Sequence, residues 1–177
     1  MPRHLYDAVV GSFNQLLPGV SRTLARGRSH FEDLGMDADG LVQARIHADM
    51  LPLHFQIVTL VHMSAGAIQA LRDGSFGAPD LTLDFDYAGL ERHAGEALES
   101  LAGLEADEFD EIATNNVTFR AGDTVLPFTG PDLLLTFAVP HFYFHVTTAY
   151  DILRMSGVPL GKLEFYLGTL RLREVSP

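Results

Sequence analysis

Apolar residues near the start of the chain recur at steps of three and four, the spacing that places them on one face of a helix. This pattern predicts a first long helix from Leu5 to Leu34. Pro18 has no backbone N–H, so it is predicted to kink or divide that helix. Residues 35–40 contain two glycines and two aspartates and are predicted to end it.

A second apolar pattern predicts helical structure from about Leu41 to Arg72. Because a proline disfavours helical backbone in the residue before it, Pro52 predicts a break at residues 49–51. A short helix up to about Ala48 is therefore expected, followed by a longer helix that starts near Pro52.

The next elements along the chain are a loop, a shorter helix and a hairpin. Residues 74–85 have the composition of a loop, and Asp84 or Asp86 supplies an N-cap for a third helix from Tyr87 to Leu101. Apolar and polar residues then alternate on either side of an Ala-Gly-Asp turn. This alternation predicts a β-hairpin from about Asn116 to Phe128.

A fourth helix is predicted from Thr129 to Met155. Residues 129–132 (TGPD) provide its cap and a proline in its first turn, and Pro140 is expected to kink it. The tail from Leu160 to Leu172 is predicted to form one more short helix.

Together these elements predict an all-α fold, a four-helix bundle with a small β-hairpin inserted before the last long helix. The length of 177 residues suits a single domain over residues 1–177. The second and fourth helices are apolar nearly all round. They are therefore expected to be the most buried, and a site between them would lie in the interior of the bundle.

Composition excludes several classes of function. With 47% hydrophobic and 20% charged residues the chain is globular, and no transmembrane or secretory segment is indicated, so a cytoplasmic location is the default expectation. The absence of cysteine excludes disulfides, thiolate nucleophiles and cysteine zinc sites. The net charge is −11, and ten carboxylates between Asp84 and Glu111 face a single arginine, which disfavours nucleic-acid partners.

The segment PHFYFHVTTAYDILR (Pro140 to Arg154) places His141 and His145 four residues apart. On a helix this spacing brings both imidazole rings to the same side, where they can clamp one divalent cation. Zinc and similar metals favour imidazole ligands. The alternative is that both histidines are interior side chains satisfied by hydrogen bonds alone.

A catalytic metal site of this kind needs a third ligand from another helix. The predicted second helix offers His47, His54 and His62. His62 is favoured because apolar residues surround it, and His54 is the reserve because it lies near the break at Pro52.

Other polar residues near the pair are candidates for a supporting role. Tyr143 and Tyr150 are candidate pocket hydroxyls, since a buried phenol needs a hydrogen-bond partner. Thr148 and Asp151 follow His145 closely and are candidates to orient a histidine or a bound water.

Two long segments carry a family resemblance. DMLPLHFQ (Asp49 to Gln56) and PHFYFHVTTAYDILRMSGVPLGK (Pro140 to Lys162), with the order of elements, resemble an uncharacterised bacterial family in the DinB/YfiT-like superfamily, a group that includes metalloenzymes. The resemblance covers nearly the whole chain. It implies a four-helix bundle in up-down-down-up order, often assembled as a homodimer.

The resemblance also implies a site. Three histidines commonly bind a divalent metal in the superfamily, one from the second helix and two from the fourth, and some relatives are thiol-dependent transferases or hydrolases. By resemblance His141 and His145 are the fourth-helix ligands and His62 or His54 is the second-helix ligand, with Gln56 beside the pocket. The closer family often has asparagine at the position of His141 and aspartate at that of His62.

Two hypotheses about function follow. In the first, His62, His141 and His145 hold Zn²⁺ or Ni²⁺ in a metal-dependent hydrolase or transferase, and the open coordination position activates water or a thiol co-substrate. In the second, a metal-free helical protein binds a small molecule or a partner, and the histidines are interior polar groups.

Overall fold

The apolar spacing at the start of the chain forms one uninterrupted helix, α1 (His4–Asp33), in a computed structural model that describes residues 4–166. Pro18 lies inside α1 and does not divide it, so the predicted division is wrong. The reason is packing: Leu17 and Val20 are almost fully buried on either side of the proline, and most helical stability comes from such contacts rather than from one backbone hydrogen bond.

The segment after α1 also differs from the prediction. Ala38–Leu41 forms a 3-10 turn, and residues 42–52 are turns and bends, so the predicted short helix up to Ala48 is wrong. Instead, the backbone N–H of Leu53 donates to the carbonyl of Ala44 at 2.8 Å. This bond folds the segment back onto the start of the next helix and satisfies backbone groups that a helix would have paired internally.

The predicted longer helix is present and begins directly after Pro52. It consists of α2 (Leu53–Val61), a π-helical turn (His62–Gly66) and α3 (Ala67–Asp73), which together form a continuous second rod over residues 53–73. Gly74 ends the rod with φ +67°, a left-handed conformation that glycine adopts without strain.

A three-stranded sheet packs against the end of the second rod. The predicted hairpin is confirmed as β2 (Asn116–Ala121) and β3 (Thr124–Thr129), which pair antiparallel. The residues predicted to form only a loop contain β1 (Ser75–Gly77), which pairs parallel with β2 and places Phe76 opposite Phe119. The sheet therefore connects the end of the second rod to the hairpin.

The predicted third helix is α4 (Tyr87–Ala102), and Asp86 is its N-cap because its side-chain oxygen accepts the backbone N–H of Gly89 at 2.6 Å. A short helix that the sequence pattern did not predict, α5 (Ala106–Ile112), follows and buries Phe109.

The predicted fourth helix forms a continuous fourth rod over residues 130–155. It consists of α6 (Gly130–Asp132), a second π-helical turn (Leu133–Ala138) and α7 (Val139–Met155). Pro140 lies inside this continuous rod, directly after the π-helical turn, where the regular hydrogen-bond pattern of the helix is already interrupted. The short helix α8 (Lys162–Tyr166) begins the predicted tail helix, and residues 167–172 of that prediction lie outside the described residues.

The fold is mostly helical, with one hydrophobic core beneath α1, the second rod, α4 and the fourth rod. The rings of Phe13 and Phe142 join α1 to α7 with their centroids 4.8 Å apart. The expectation that the fourth rod is largely buried is only partly met, because Tyr143 and Phe144 are 41% and 57% exposed. Within residues 4–166, no helix is both long and apolar enough to cross a bilayer.

Candidate functional site

His145 lies on α7 and faces α2. Its side chain is 7% exposed, and its Nδ1 atom is 2.7 Å from the Oε1 atom of Gln56, which is also buried. The ring of Phe55 meets the imidazole edge-on at 5.7 Å. The second rod therefore holds this histidine through one hydrogen bond and one aromatic contact.

The orientation of the Gln56 amide determines which nitrogen of His145 carries the proton. The amide nitrogen Nε2 of Gln56 donates to the backbone carbonyl of Leu51 at 2.8 Å. Because a carbonyl only accepts, the amide oxygen must face His145, and Nδ1 of His145 must be the donor. In the neutral ring, Nε2 of His145 then carries a lone pair.

His141 is held in the same tautomer by a different acceptor. Its Nδ1 atom is 2.7 Å from the backbone carbonyl of Phe137, one helical turn earlier, so Nδ1 donates there and Nε2 of the neutral ring carries the lone pair. The His141 side chain is exposed, unlike that of His145. Within the described residues, neither Nε2 atom has a hydrogen-bond partner.

The two rings share one cleft. Their centroids are 6.5 Å apart and their planes differ by 17°, as expected for side chains one turn apart on a helix. The cleft has a volume of about 350 Å³ and is lined by Pro140, His141, Phe144 and His145. Phe144 lines the cleft with its side chain exposed.

His62, the favoured third ligand, is not brought to the pair. It begins the π-helical turn, where its Nε2 is 2.8 Å from the carbonyl of Gly77 in β1, and its ring stacks on Phe76 at 4.4 Å. Contacts from His62 to His141 run through the rings of Phe76 and Phe137 rather than through a shared cavity. The described residues therefore do not bring the three histidines together, and the three-histidine site stays a prediction.

The reserve ligand, His54, also has another partner. Its Nε2 accepts the backbone N–H of Phe85 at 3.3 Å, and the two rings lie 6.1 Å apart. His54 and Phe55 line a second cleft, between the second rod and residues 81–84.

The four predicted supporting residues of α7 do not contact the two histidines by hydrogen bonds. Thr148 is buried but donates to the carbonyl of Phe144 within its own helix at 2.8 Å. The ring of Tyr150 packs on α8, and Tyr143 and Asp151 are exposed. Among the predicted pocket residues, Gln56 alone forms a hydrogen bond with one of the two histidines, His145.

The nitrogen donors of His141 and His145 meet part of what a divalent metal requires. Two imidazole Nε2 atoms with lone pairs, each fixed by a hydrogen bond at Nδ1, match the arrangement of metal-binding histidines in proteins. Within residues 4–166, however, no three histidine, aspartate or glutamate side chains form a group that holds a metal ion. The two histidines could supply two ligands of a metal, and its remaining positions would fall to water or another ligand.

The protonation of His145 follows from its surroundings. Burial, and in addition the charge of a protonated His141, lowers the pKa of His145 to about 4. Burial also lowers the pKa of His62, against a smaller opposing effect of its hydrogen bond to Gly77. His145 is therefore neutral at pH 7, as metal ligation by imidazole requires.

This pKa predicts how stability depends on pH. The unfolded chain protonates His145 near pH 6.5, whereas the folded protein resists protonation until about pH 4, so stability should fall as pH falls between these values. We expect a loss of about 2 kcal/mol, allowing for screening at the open cleft. Urea denaturation at pH 7 and pH 4.5 measures it.

The control for this loss is His145→Gln, which keeps a donor for Gln56 but cannot titrate. It should lose about 2 kcal/mol less than the parent over the same range, because the other titrating groups are unchanged. An equal loss in both proteins would contradict the assigned environment of His145.

Comparison with known proteins is consistent with this fold. Residues 5–166 match the family described as Domain of unknown function (DUF1993). The chain is similar to the crystal structure of a DinB family member protein from Shewanella denitrificans, with 26% identity, a TM-score of 0.75, and coverage of 97% of this chain and 96% of that chain. No curated protein matches it. The resemblance carried by the α2 and α7 segments is thereby confirmed, and the chain belongs to the DUF1993 family, an uncharacterised family with a DinB-like fold.

Proposed function

We propose that the protein binds a divalent cation in the cleft lined by Pro140, His141, Phe144 and His145 of α7, with Nε2 of His141 and Nε2 of His145 as ligands. One observation carries this proposal: both Nδ1 atoms donate to fixed acceptors, so both Nε2 lone pairs remain available. A hydrogen bond at the far nitrogen fixes the tautomer and ring orientation of metal-binding histidines.

The chemistry of the donors selects the cation. Imidazole nitrogen is a ligand for zinc, nickel and similar metals rather than for magnesium or calcium, which take oxygen. Zn²⁺ or Ni²⁺ is therefore proposed. His62 and the reserve His54 are not assigned as ligands, because neither lines the cleft of His141 and His145.

Open coordination positions are what a metal-dependent enzyme needs. A cation held by two histidines supplies Lewis acidity to a bound water or thiol, the chemistry of the hydrolase or transferase type that the DinB/YfiT resemblance suggests. His141 and His145 hold the cation in this proposal, and Gln56 orients His145. The wider assignment is a single four-helix bundle domain over residues 1–177, in up-down-down-up order, acting as a cytoplasmic homodimer.

A second candidate function is metal-free binding of an apolar small molecule or a partner protein. It is favoured by the exposed Phe144 at the mouth of the cleft and the absence, within residues 4–166, of a third ligating side chain near the pair. In this case the two histidines contribute hydrogen bonds and ring contacts only.

The proposal is tested by thermal unfolding of protein prepared without a histidine tag and treated with chelator. Zinc at 100 times its Kd stabilises the native state by about 2.7 kcal/mol, which raises Tm by about 5–10 °C for a chain of this size. We expect this shift in the parent and its loss in the double variant His141→Ala, His145→Ala.

The matched control is His47→Ala, which removes an exposed histidine paired with Asp49 outside the cleft. This variant should keep the full rise in Tm on addition of zinc. Absence of a shift with both Zn²⁺ and Ni²⁺ in the parent would favour the metal-free function instead. Retention of the shift in the double variant would show that the cation binds at another site.

A further inference from the structure

We propose that Gln56 is a positioning residue. The Leu51 carbonyl sets the orientation of its amide, and this orientation places the proton of His145 on Nδ1. The cation site therefore depends on the conformation of residues 42–52. The proposal rests on the function proposed above and concerns the regulation of that site. Its test has a readout that needs no metal.

Both the nitrogen and the oxygen of the Gln56 side-chain amide form hydrogen bonds. Nε2 donates to Leu51 at 2.8 Å, and Oε1 accepts from His145 at 2.7 Å. The side chain is 2% exposed, so water does not replace either partner. The acceptor on one side of the amide thus dictates which atom meets the histidine on the other side.

Rotation of the Gln56 amide by 180° would exchange the donor and acceptor roles in its hydrogen bond with His145. Its NH₂ group would face Nδ1 of His145, which must then accept, and the ring proton would move to Nε2. The lone pair in the cleft would be lost. With Leu51 in place, this rotation brings the amide oxygen of Gln56 against the Leu51 carbonyl. Both atoms are acceptors, so the rotation costs at least the free energy of the lost hydrogen bond.

Leu51 belongs to the segment that connects α1 to the second rod without regular helix. Two backbone bonds hold the end of that segment, from Leu53 to Ala44 at 2.8 Å and from His54 to Val42 at 3.0 Å. The side chain of Leu51 is 47% exposed and lines the second cleft, opposite residues 81–84. Whatever displaces Leu51 from this position releases the amide and lowers the affinity for the cation.

The test measures the tautomer of His145 by ¹⁵N NMR of metal-free protein at pH 7.5, and zinc affinity by calorimetry. The parent should show Nδ1–H. In Gln56→Leu the acceptor is gone, so Nε2–H should predominate, and zinc affinity should fall about 10–100-fold, as when other groups that orient metal ligands are removed. Gln56→Glu keeps an acceptor and should keep Nδ1–H.

Two further variants separate positioning from general damage to the fold. Gln69→Leu replaces an exposed glutamine of the same rod and should change neither readout. Pro52→Gly loosens the segment next to Leu51 without touching His145, and it should give a mixture of the two tautomers with intermediate affinity.

The outcomes are distinguishable. Nδ1–H at the parent level in both Gln56→Leu and Pro52→Gly overturns the positioning role, whatever the metal affinity. If Gln56→Leu does not fold, Pro52→Gly decides alone. A tautomer change in a protein that binds neither Zn²⁺ nor Ni²⁺ supports the positioning role and overturns the proposed function.

Discussion

Replacing Gly27 with alanine is expected to destabilise the protein by about 3 kcal/mol, since overpacking and the loss of a buried hydrogen bond combine. Gly27 lies on α1 where the buried ring of Tyr87 from α4 crosses it. The Tyr87 hydroxyl donates to the carbonyl of Leu24 at 2.8 Å, and a Cβ atom at Gly27 would overlap that hydroxyl. The side chain of Leu153 closes the other side at 3.3 Å.

A double-mutant cycle identifies the cause. Tyr87→Phe alone removes one hydrogen bond and should cost about 1 kcal/mol. In that background Gly27→Ala should cost clearly less than 3 kcal/mol, because the atom it overlaps is absent. Additive losses in urea denaturation would show that the overlap with the hydroxyl is not what destabilises the single variant.

Replacing His62 with alanine is expected to cost about 3 kcal/mol of stability but to leave zinc affinity within about twofold of the parent. The stability loss follows from the ring stacked on Phe76 at 4.4 Å and the hydrogen bond to Gly77 at 2.8 Å, which join the second rod to β1. Zinc affinity should hold because His62 lies outside the cleft of His141 and His145.

His62→Phe is the matched control, because it keeps a ring on Phe76 and removes only the nitrogens. It should recover part of the lost stability and bind zinc like the parent. A fall in zinc affinity of tenfold or more in this folded variant would identify His62 as a ligand and restore the three-histidine site implied by the DinB/YfiT resemblance.

The sequence predicted those elements whose signals are local. Periodic apolar positions located α1, the second rod, α4 and the fourth rod, and alternation around Gly122 located the hairpin. Elements that depend on distant partners were not predicted: β1 is three residues long and exists because β2, forty residues later, pairs with it. The π-helical turns were also missed, because an extra residue per turn leaves little trace in a short apolar run.

In the candidate site, too, local relations were predicted from the sequence and relations to distant residues were not. The four-residue spacing correctly placed His141 and His145 on one side of a helix, a purely local relation. The position of His62 depends on a π-helical turn and on the carbonyl of Gly77 in β1, neither of which the sequence pattern shows. The orientation of Gln56 depends on the Leu51 carbonyl, a backbone atom whose position no side-chain pattern specifies.

The most direct test of the proposed cation site is zinc anomalous diffraction from crystals of the tag-free protein soaked in zinc. We expect one peak per chain, bonded to Nε2 of His141 and Nε2 of His145 at about 2.0–2.1 Å, with water or another small ligand at the remaining positions. No peak in the cleft, or a peak bonded to His62 as well, would contradict the two-histidine site.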